Sequence, residues 1–148
     1  MKNLRLFILI ILCSCNICCD KNPFAKHVWT IIVRNQSSQR IEFIYPEYER
    51  KTKRILNINL FPDTSLVEKE PSPIINVPTS DERYIDFPQD FDEVFEAIPS
   101  GKLSIYIFSE DTLKKYSWEE IRQGYKVLKR YDLTHAELDQ MDYTIVYQ

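Results

Sequence analysis

Lys102-Leu103-Ser104-Ile105-Tyr106-Ile107-Phe108-Ser109 is the stretch that decides the fold. Side chains alternate between faces along a strand, so Leu103, Ile105 and Ile107 share one face and Tyr106 and Phe108 the other. Aromatic and β-branched residues suit a pleated backbone, and Pro99-Ser100-Gly101 breaks the chain just before it. For the Tyr106/Phe108 face two outcomes are open: a strand buried on both sides, or an aromatic strip that meets a partner.

Working outward, Val28-Trp29-Thr30-Ile31-Ile32-Val33-Arg34 is a second apolar, β-branched run. The polar turn Asn35-Gln36-Ser37-Ser38-Gln39 joins it to Arg40-Ile41-Glu42-Phe43-Ile44-Tyr45, and the three segments together read as a hairpin. Residues 49–54 are charged, and Ile55 to Phe61 is a further strand candidate. Pro62, Pro71, Pro73 and Pro78 mark residues 62–80 as an irregular excursion over the surface. Tyr84 to Phe87 is a short strand candidate. In Asp90 to Ile98, the residues Phe91, Val94, Phe95 and Ile98 recur at helical spacing. Ser117-x-x-Glu120 and Thr134-x-x-Glu137 are capping boxes, in which each side chain satisfies a free backbone N–H of the first turn. The first opens a helix to Gln123 that Gly124 stops. Lys126 to Asp132 and Asp142 to Tyr147 are the last strand candidates. About six or seven strands, without the long helices that parallel crossovers need, point to a mainly antiparallel two-sheet sandwich, immunoglobulin- or transthyretin-like. An α+β fold is the alternative.

The beginning of the chain bears on location. Lys2 and Arg5 precede the apolar run Leu6 to Leu12, and Leu12-Cys13-Ser14-Cys15 follows. This order resembles a bacterial lipoprotein signal, with Cys15 as the lipidated residue because it alone has Leu at −3 and a small residue at −1. Cys18 and Cys19 are the alternatives. The apolar run is far shorter than the roughly 20 residues of a membrane-spanning helix. Residues 1–14 then form the signal peptide, 15–27 the lipidated Cys and its tether, and 28–148 one globular domain. Cys13, Cys15, Cys18 and Cys19 superficially mimic thiolate metal spacing, but all lie in or beside the leader, so no metal site or cofactor is expected. With no later cysteine, the domain has no disulfide.

Cleavage before Cys15 removes two of the 19 basic residues and none of the 22 acidic ones, leaving a net charge of about −5. A nucleic-acid binder would show a basic stripe instead, so no nucleic-acid partner is expected. Two glycines in the whole chain leave little for a glycine-cradled phosphate site.

Tyr116 to Ile121, Tyr125 to Thr134, Tyr143 to Tyr147 and Val28 to Ile31 together resemble a group of small lipoproteins of Bacteroides-type bacteria with no assigned activity. The ending departs from the group's Trp-Thr-Ile-Thr-Tyr-Pro-like tail at Tyr143, Val146 and Gln148. The resemblance implies a lipid anchor in the envelope and carries no catalytic residue. Surface-exposed members carry acidic residues just after the lipidated Cys. Here Asn16 to Cys19 are uncharged, which implies an outer-membrane anchor with the domain facing the periplasm.

Catalytic patterns are sparse. His27 falls in the tether and His135 in a capping box, both read as solvent-facing polar residues, and no Gly-x-Ser-x-Gly elbow occurs. Carboxylates cluster at Asp81/Glu82, Asp90/Asp92/Glu93, Glu110/Asp111 and Glu119/Glu120, mostly in loops and first helical turns where negative charge suits the free N–H groups. The expected function is a non-enzymatic envelope lipoprotein with a protein or glycan partner, and Trp29, Tyr106 and Trp118, with Tyr125, are the candidate binding platform. The alternative is a small envelope hydrolase using a carboxylate pair.

Overall fold

Leu103 to Phe108 are all buried, so the strand at the centre of the sequence argument is covered on both faces. A computed structural model of the chain describes residues 29–49, 51–56, 74–87 and 89–148. The leader, Cys15, Cys18, Cys19, the tether with His27, residues 57–61 of the fourth strand candidate and 62–73 of the proline-rich excursion lie outside the described residues.

In chain order the elements are β1 (Trp29–Asn35), β2 (Ile41–Ile44), β3 (Glu47–Glu49), β4 (Arg54–Leu56), β5 (Ile75–Val77), β6 (Asp81–Phe87), α1 (Phe91–Glu96), β7 (Leu103–Ser109), α2 (Glu110–Lys115), α3 (Trp118–Gln123), β8 (Lys129–Leu133), α4 (His135–Gln140) and β9 (Thr144–Tyr147). One sheet has the order β6-β1-β9 and the other β5-β2-β7-β8, while β3 and β4 form a small ribbon. The chain is mainly β, a two-sheet sandwich with short helices in its connections. Its described pairings are antiparallel except β1 with β9, which run parallel.

Period-2 alternation builds the layer between the sheets. Ile31 and Val33 of β1, Ile85 and Phe87 of β6, and Ile145 of β9 meet Ile41 and Phe43 of β2, Val77 of β5, and Leu103, Ile105 and Ile107 of β7. The helical stripe expected at Phe91, Val94, Phe95 and Ile98 joins the same core. A second cluster lies on the far side of β7, where Tyr106 and Phe108 pack with Ile44, with Ile121 of α3, and with half-buried Leu113, Tyr116, Trp118, Tyr125 and Val127. Helices α2 and α3 therefore cover the face that the sequence left open.

The expected hairpin at the start of the domain is corrected. β1 and β2 belong to different sheets, so residues 36–40 cross from one layer to the other instead of turning back along one sheet. The crossing is held by Asn35, which is fully buried at the end of β1. Its amide nitrogen donates to the carbonyls of Gln39 (2.8 Å), Val77 (3.1 Å) and Pro78 (3.2 Å). Its oxygen accepts from the Ser37 backbone N–H (3.0 Å) and hydroxyl (2.7 Å).

Smaller corrections have local causes. The 62–80 excursion contains β5, which pairs with β2, and β6 starts at Asp81 rather than Tyr84. The charged 49–54 stretch turns through Lys53 at φ +51° into β4. α2 had no sequence forecast, although the Ser109 side chain caps it by accepting from the Thr112 N–H. The residue that takes the left-handed conformation after α3 is Tyr125 (φ +43°), not Gly124, and Lys126 N–H closes back on the Ile121 carbonyl at 3.0 Å. That turn delays β8 to Lys129.

Removing the Asn35 amide orphans carbonyls in two loops at once. Asn35→Ala should lower unfolding free energy by about 2–3 kcal/mol, and Asn35→Asp, which keeps the shape but removes the donor, by at least as much. Urea unfolding at neutral pH measures both.

Candidate functional site

The three aromatic candidates occupy two separate places. Trp29 opens β1 opposite Phe87, packs half-buried against the main core, and sets its ring 5.2 Å from that of Phe91. Tyr106 and Trp118 belong to the second cluster on the outer side of β7. Tyr106 is only 6% exposed, and the Arg130 guanidinium lies 5.1 Å over its ring. Trp118, placed at the first turn of α3 by the Ser117 cap, meets Phe108 edge-on at 6.1 Å. The structure thus brings Tyr106 and Trp118 into one cluster, with Tyr125, and leaves Trp29 apart. Next to them Lys126 and Lys115 lie 4.3 and 5.2 Å from the ring centre of Tyr116, close enough for cation–π attraction.

Three of the acidic candidates, Asp81, Glu82 and Glu120, are held by hydrogen bonds that favour their charged forms. Asp81 accepts from the Glu82 N–H (2.8 Å) and from Arg83 (2.7 Å), and these two bonds, in that order, lower its pKa. Glu82 is lowered first by the Tyr84 hydroxyl and then by Arg34, whose Nε and Nη2 both lie 2.9 Å from Oε2. Arg34, Asn35, Gln36, Ser80, Asp81 and Glu82 line an open cleft of about 410 Å³ at the end of the sandwich where Asn35 sits. Glu120 and Glu137 close their capping boxes on Ser117 and Thr134, and those bonds pull both carboxyls below the ordinary value.

His135, expected as a solvent-facing polar residue, is half-buried and has a polar partner at each ring nitrogen. Nδ1 lies 2.9 Å from Asp92 Oδ1, Nε2 lies 3.1 Å from Tyr143 Oη, and the Tyr143 hydroxyl donates to Asp139 Oδ1 at 3.2 Å. The imidazole stacks on Phe95 (5.4 Å, 8°) and meets Phe91 edge-on at 5.7 Å. Burial, followed by the charge of Asp139, raises the Tyr143 pKa. The available signal was the spacing of His135 and Asp139, one turn apart on the face of a helix. Asp92, 43 positions away, carried none.

Among the described residues no group of three His, Cys, Asp or Glu side chains is placed to hold a metal ion, and no helix is long and apolar enough to cross a membrane. No protein-family model, curated protein or solved structure matches the chain.

The depressed carboxyls set an acid limit. A folded-state pKa below the unfolded value contributes stability that is present above the unfolded value and lost as pH falls through the folded one. For Glu82, Glu120 and Glu137 the loss should run downward from the ordinary 4.5. Thermal unfolding between pH 6 and pH 3 should show it, and the double variant Glu120→Gln, Glu137→Gln should flatten the decline.

Proposed function

We propose that the chain is a lipid-anchored envelope protein whose sandwich domain binds a protein or glycan partner and does not catalyse a reaction. The observation that carries the anchor is the order of the first fifteen residues: Lys2 and Arg5, the apolar run Leu6 to Leu12, then Ser14-Cys15. A membrane anchor by acylation gains about 0.8 kcal/mol per buried CH2, so a multiply acylated Cys15 holds the domain at the bilayer without a protein span. The location proposed is the outer membrane with the domain on the periplasmic side, because the first acidic residue after Cys15 is Asp20.

The binding reading draws support from how the reactive groups are employed. A carboxylate-pair hydrolase needs one carboxyl kept protonated near neutral pH. Asp81, Glu82, Glu120 and Glu137 are shifted the other way, each held ionised by N–H and O–H donors or an arginine. For partner contact, the half-buried aromatics Trp118, Tyr116 and Tyr125 with Lys126 offer flat rings beside a cation, a surface suited to stacking on a sugar or a planar side chain.

Intact-mass analysis of membrane-extracted protein should show loss of residues 1–14 with added acyl mass. Cys15→Ala should accumulate uncut precursor or release the protein from the membrane; unchanged processing moves the anchor to Cys18 or Cys19. Proteinase added to intact cells should leave the domain whole and digest it only after the outer membrane is ruptured. Digestion without rupture places the domain on the cell surface.

A further inference from the structure

Of the described strands that end a sheet of the sandwich, β6 is the longest, with seven residues against three in β5, five in β8 and four in β9. The pairing of β1 decides which way its peptide groups point. The Ile32 and Gln36 N–H groups donate towards β9, to the carbonyls of Tyr143 and Tyr147. Peptide groups alternate in direction along a strand, so Ile31 and Val33 turn theirs to Ile85 and Arg83 of β6. The N–H and C=O groups of Glu82, Tyr84 and Asp86 therefore point out of the sheet edge. Glu82 is closed over by its neighbours. Its N–H donates to Asp81 Oδ1 at 2.8 Å, its carbonyl accepts from Arg83 Nη1 at 2.7 Å, and Asp81 and Arg83 are joined at 2.7 Å. Charged side chains placed in this way blunt an edge against strand addition. At the other two positions the side chains turn elsewhere: the Tyr84 hydroxyl reaches the Glu82 carboxylate, and Asp86 accepts from the Thr30 hydroxyl at 2.8 Å. Pro88, next in phase, has no N–H to offer.

We propose that β6 pairs antiparallel with β6 of a second copy of this chain, about a two-fold axis at Ile85, joining two three-stranded sheets into one. In that register Tyr84 faces Asp86 of the second copy, and Asp86 faces its Tyr84. The two pairs exchange four backbone hydrogen bonds, which use the open peptide groups of both edges and nothing else. The neighbouring registers fail on charge or on the closed peptide. An axis at Tyr84 sets Glu82 against Asp86, and one at Asp86 sets aspartate against aspartate; like charges directly opposite each other destabilise a sheet. An axis at Arg83 sets arginine against arginine and needs the peptide groups of Glu82, which are already taken.

Backbone groups alone would accept any extended chain, and the side chains select the copy. Among the described residues Tyr84 is the most exposed large hydrophobic side chain, at 58%, and Asp86 beside it is exposed as well. Across the join a neutral ring meets each carboxylate, so no charge opposes a like charge and both rings lose exposed area. The Asp81–Arg83 clamp adds a second effect. It shuts the one outward peptide group whose use would shift the register by two residues. The opposite edge of the same sheet is closed differently, with the Tyr131 hydroxyl on the Val146 carbonyl of β9 at 2.9 Å.

The test is the mass of the full chain in detergent, measured across micromolar concentrations by light scattering with the detergent's share subtracted. Wild type should pass from one chain to two as concentration rises. Tyr84→Pro removes an outward N–H and no bond to β1, since proline is accepted where the N–H of an edge strand faces away from the sheet. That variant should stay a single chain. Tyr84→Glu, at an exposed position, sets a glutamate against Asp86 twice in each dimer and should weaken association about ten-fold. Adding Asp86→Lys should restore it, because positions 84 and 86 face each other only in the proposed register. Wild type that stays a single chain throughout overturns the proposal and leaves the edge to a strand of another protein. A dimer that survives Tyr84→Pro overturns it too, as does a Tyr84→Glu dimer as tight as wild type or a loss that Asp86→Lys does not repair. Should Tyr84→Pro fail to fold, the charge exchange decides alone.

Discussion

The amide of Asn35 carries the geometry on which the sandwich depends. Two connections pass from one sheet to the other at the same end of the molecule, β1 to β2 and β5 to β6. Each must carry peptide groups across the rim of an apolar layer, where an unpaired carbonyl is expensive. One fully buried side chain serves both: it reaches Gln39 in the first crossing and Val77 and Pro78 in the second. Gln36 N–H extends the same end by donating to Tyr147 at 2.7 Å, so β9 is registered beside the crossing as well. A polar residue at the end of an apolar strand thus decides where both sheets stop.

The opposite constraint acts on β7, which is wanted by two cores. Leu103, Ile105 and Ile107 fill the gap between the sheets while Tyr106 and Phe108 build a second layer with α2 and α3. Ser104, the polar residue on that side, is satisfied by donating to Asp132 at 2.6 Å, and Asp132 in turn accepts from Arg130 at 2.8 Å. Arg130 then covers Tyr106. Packing therefore consumes Tyr106, while Tyr116, Trp118 and Tyr125 of the same cluster stay half-buried around α3. A binding role for such a surface rests on flat rings and neighbouring lysines, whose chemistry tolerates many partners.

Much of the fold was legible from local pattern. Strands β1, β2 and β7, the helical stripe at Phe91, Val94, Phe95 and Ile98, and both capping boxes follow from periodicity and from the chemistry of helix ends, which act within a few residues. Strand partners were less so. Asn35-Gln36-Ser37-Ser38-Gln39 is as good a hairpin turn as a sheet-to-sheet crossing, and only the distant carbonyls of Val77 and Pro78 distinguish the two. β5, three residues long in a proline-rich stretch, has no periodicity to read and exists because the edge of β2 pairs with it.

By itself the sequence determined the basic-then-apolar beginning and its Ser14-Cys15 junction, the absence of cysteine from the domain, and the alternation that makes the chain mainly β. These are properties of composition and of neighbours one to four residues apart. The tertiary structure alone decided the parallel docking of β9 on β1, the burial of Tyr106 and the company of His135. A histidine becomes more than a polar surface residue only when the fold brings a carboxylate from 43 positions away to one ring nitrogen and a tyrosine to the other. Contacts at that separation are set by how layers pack, and no spacing along the chain encodes them.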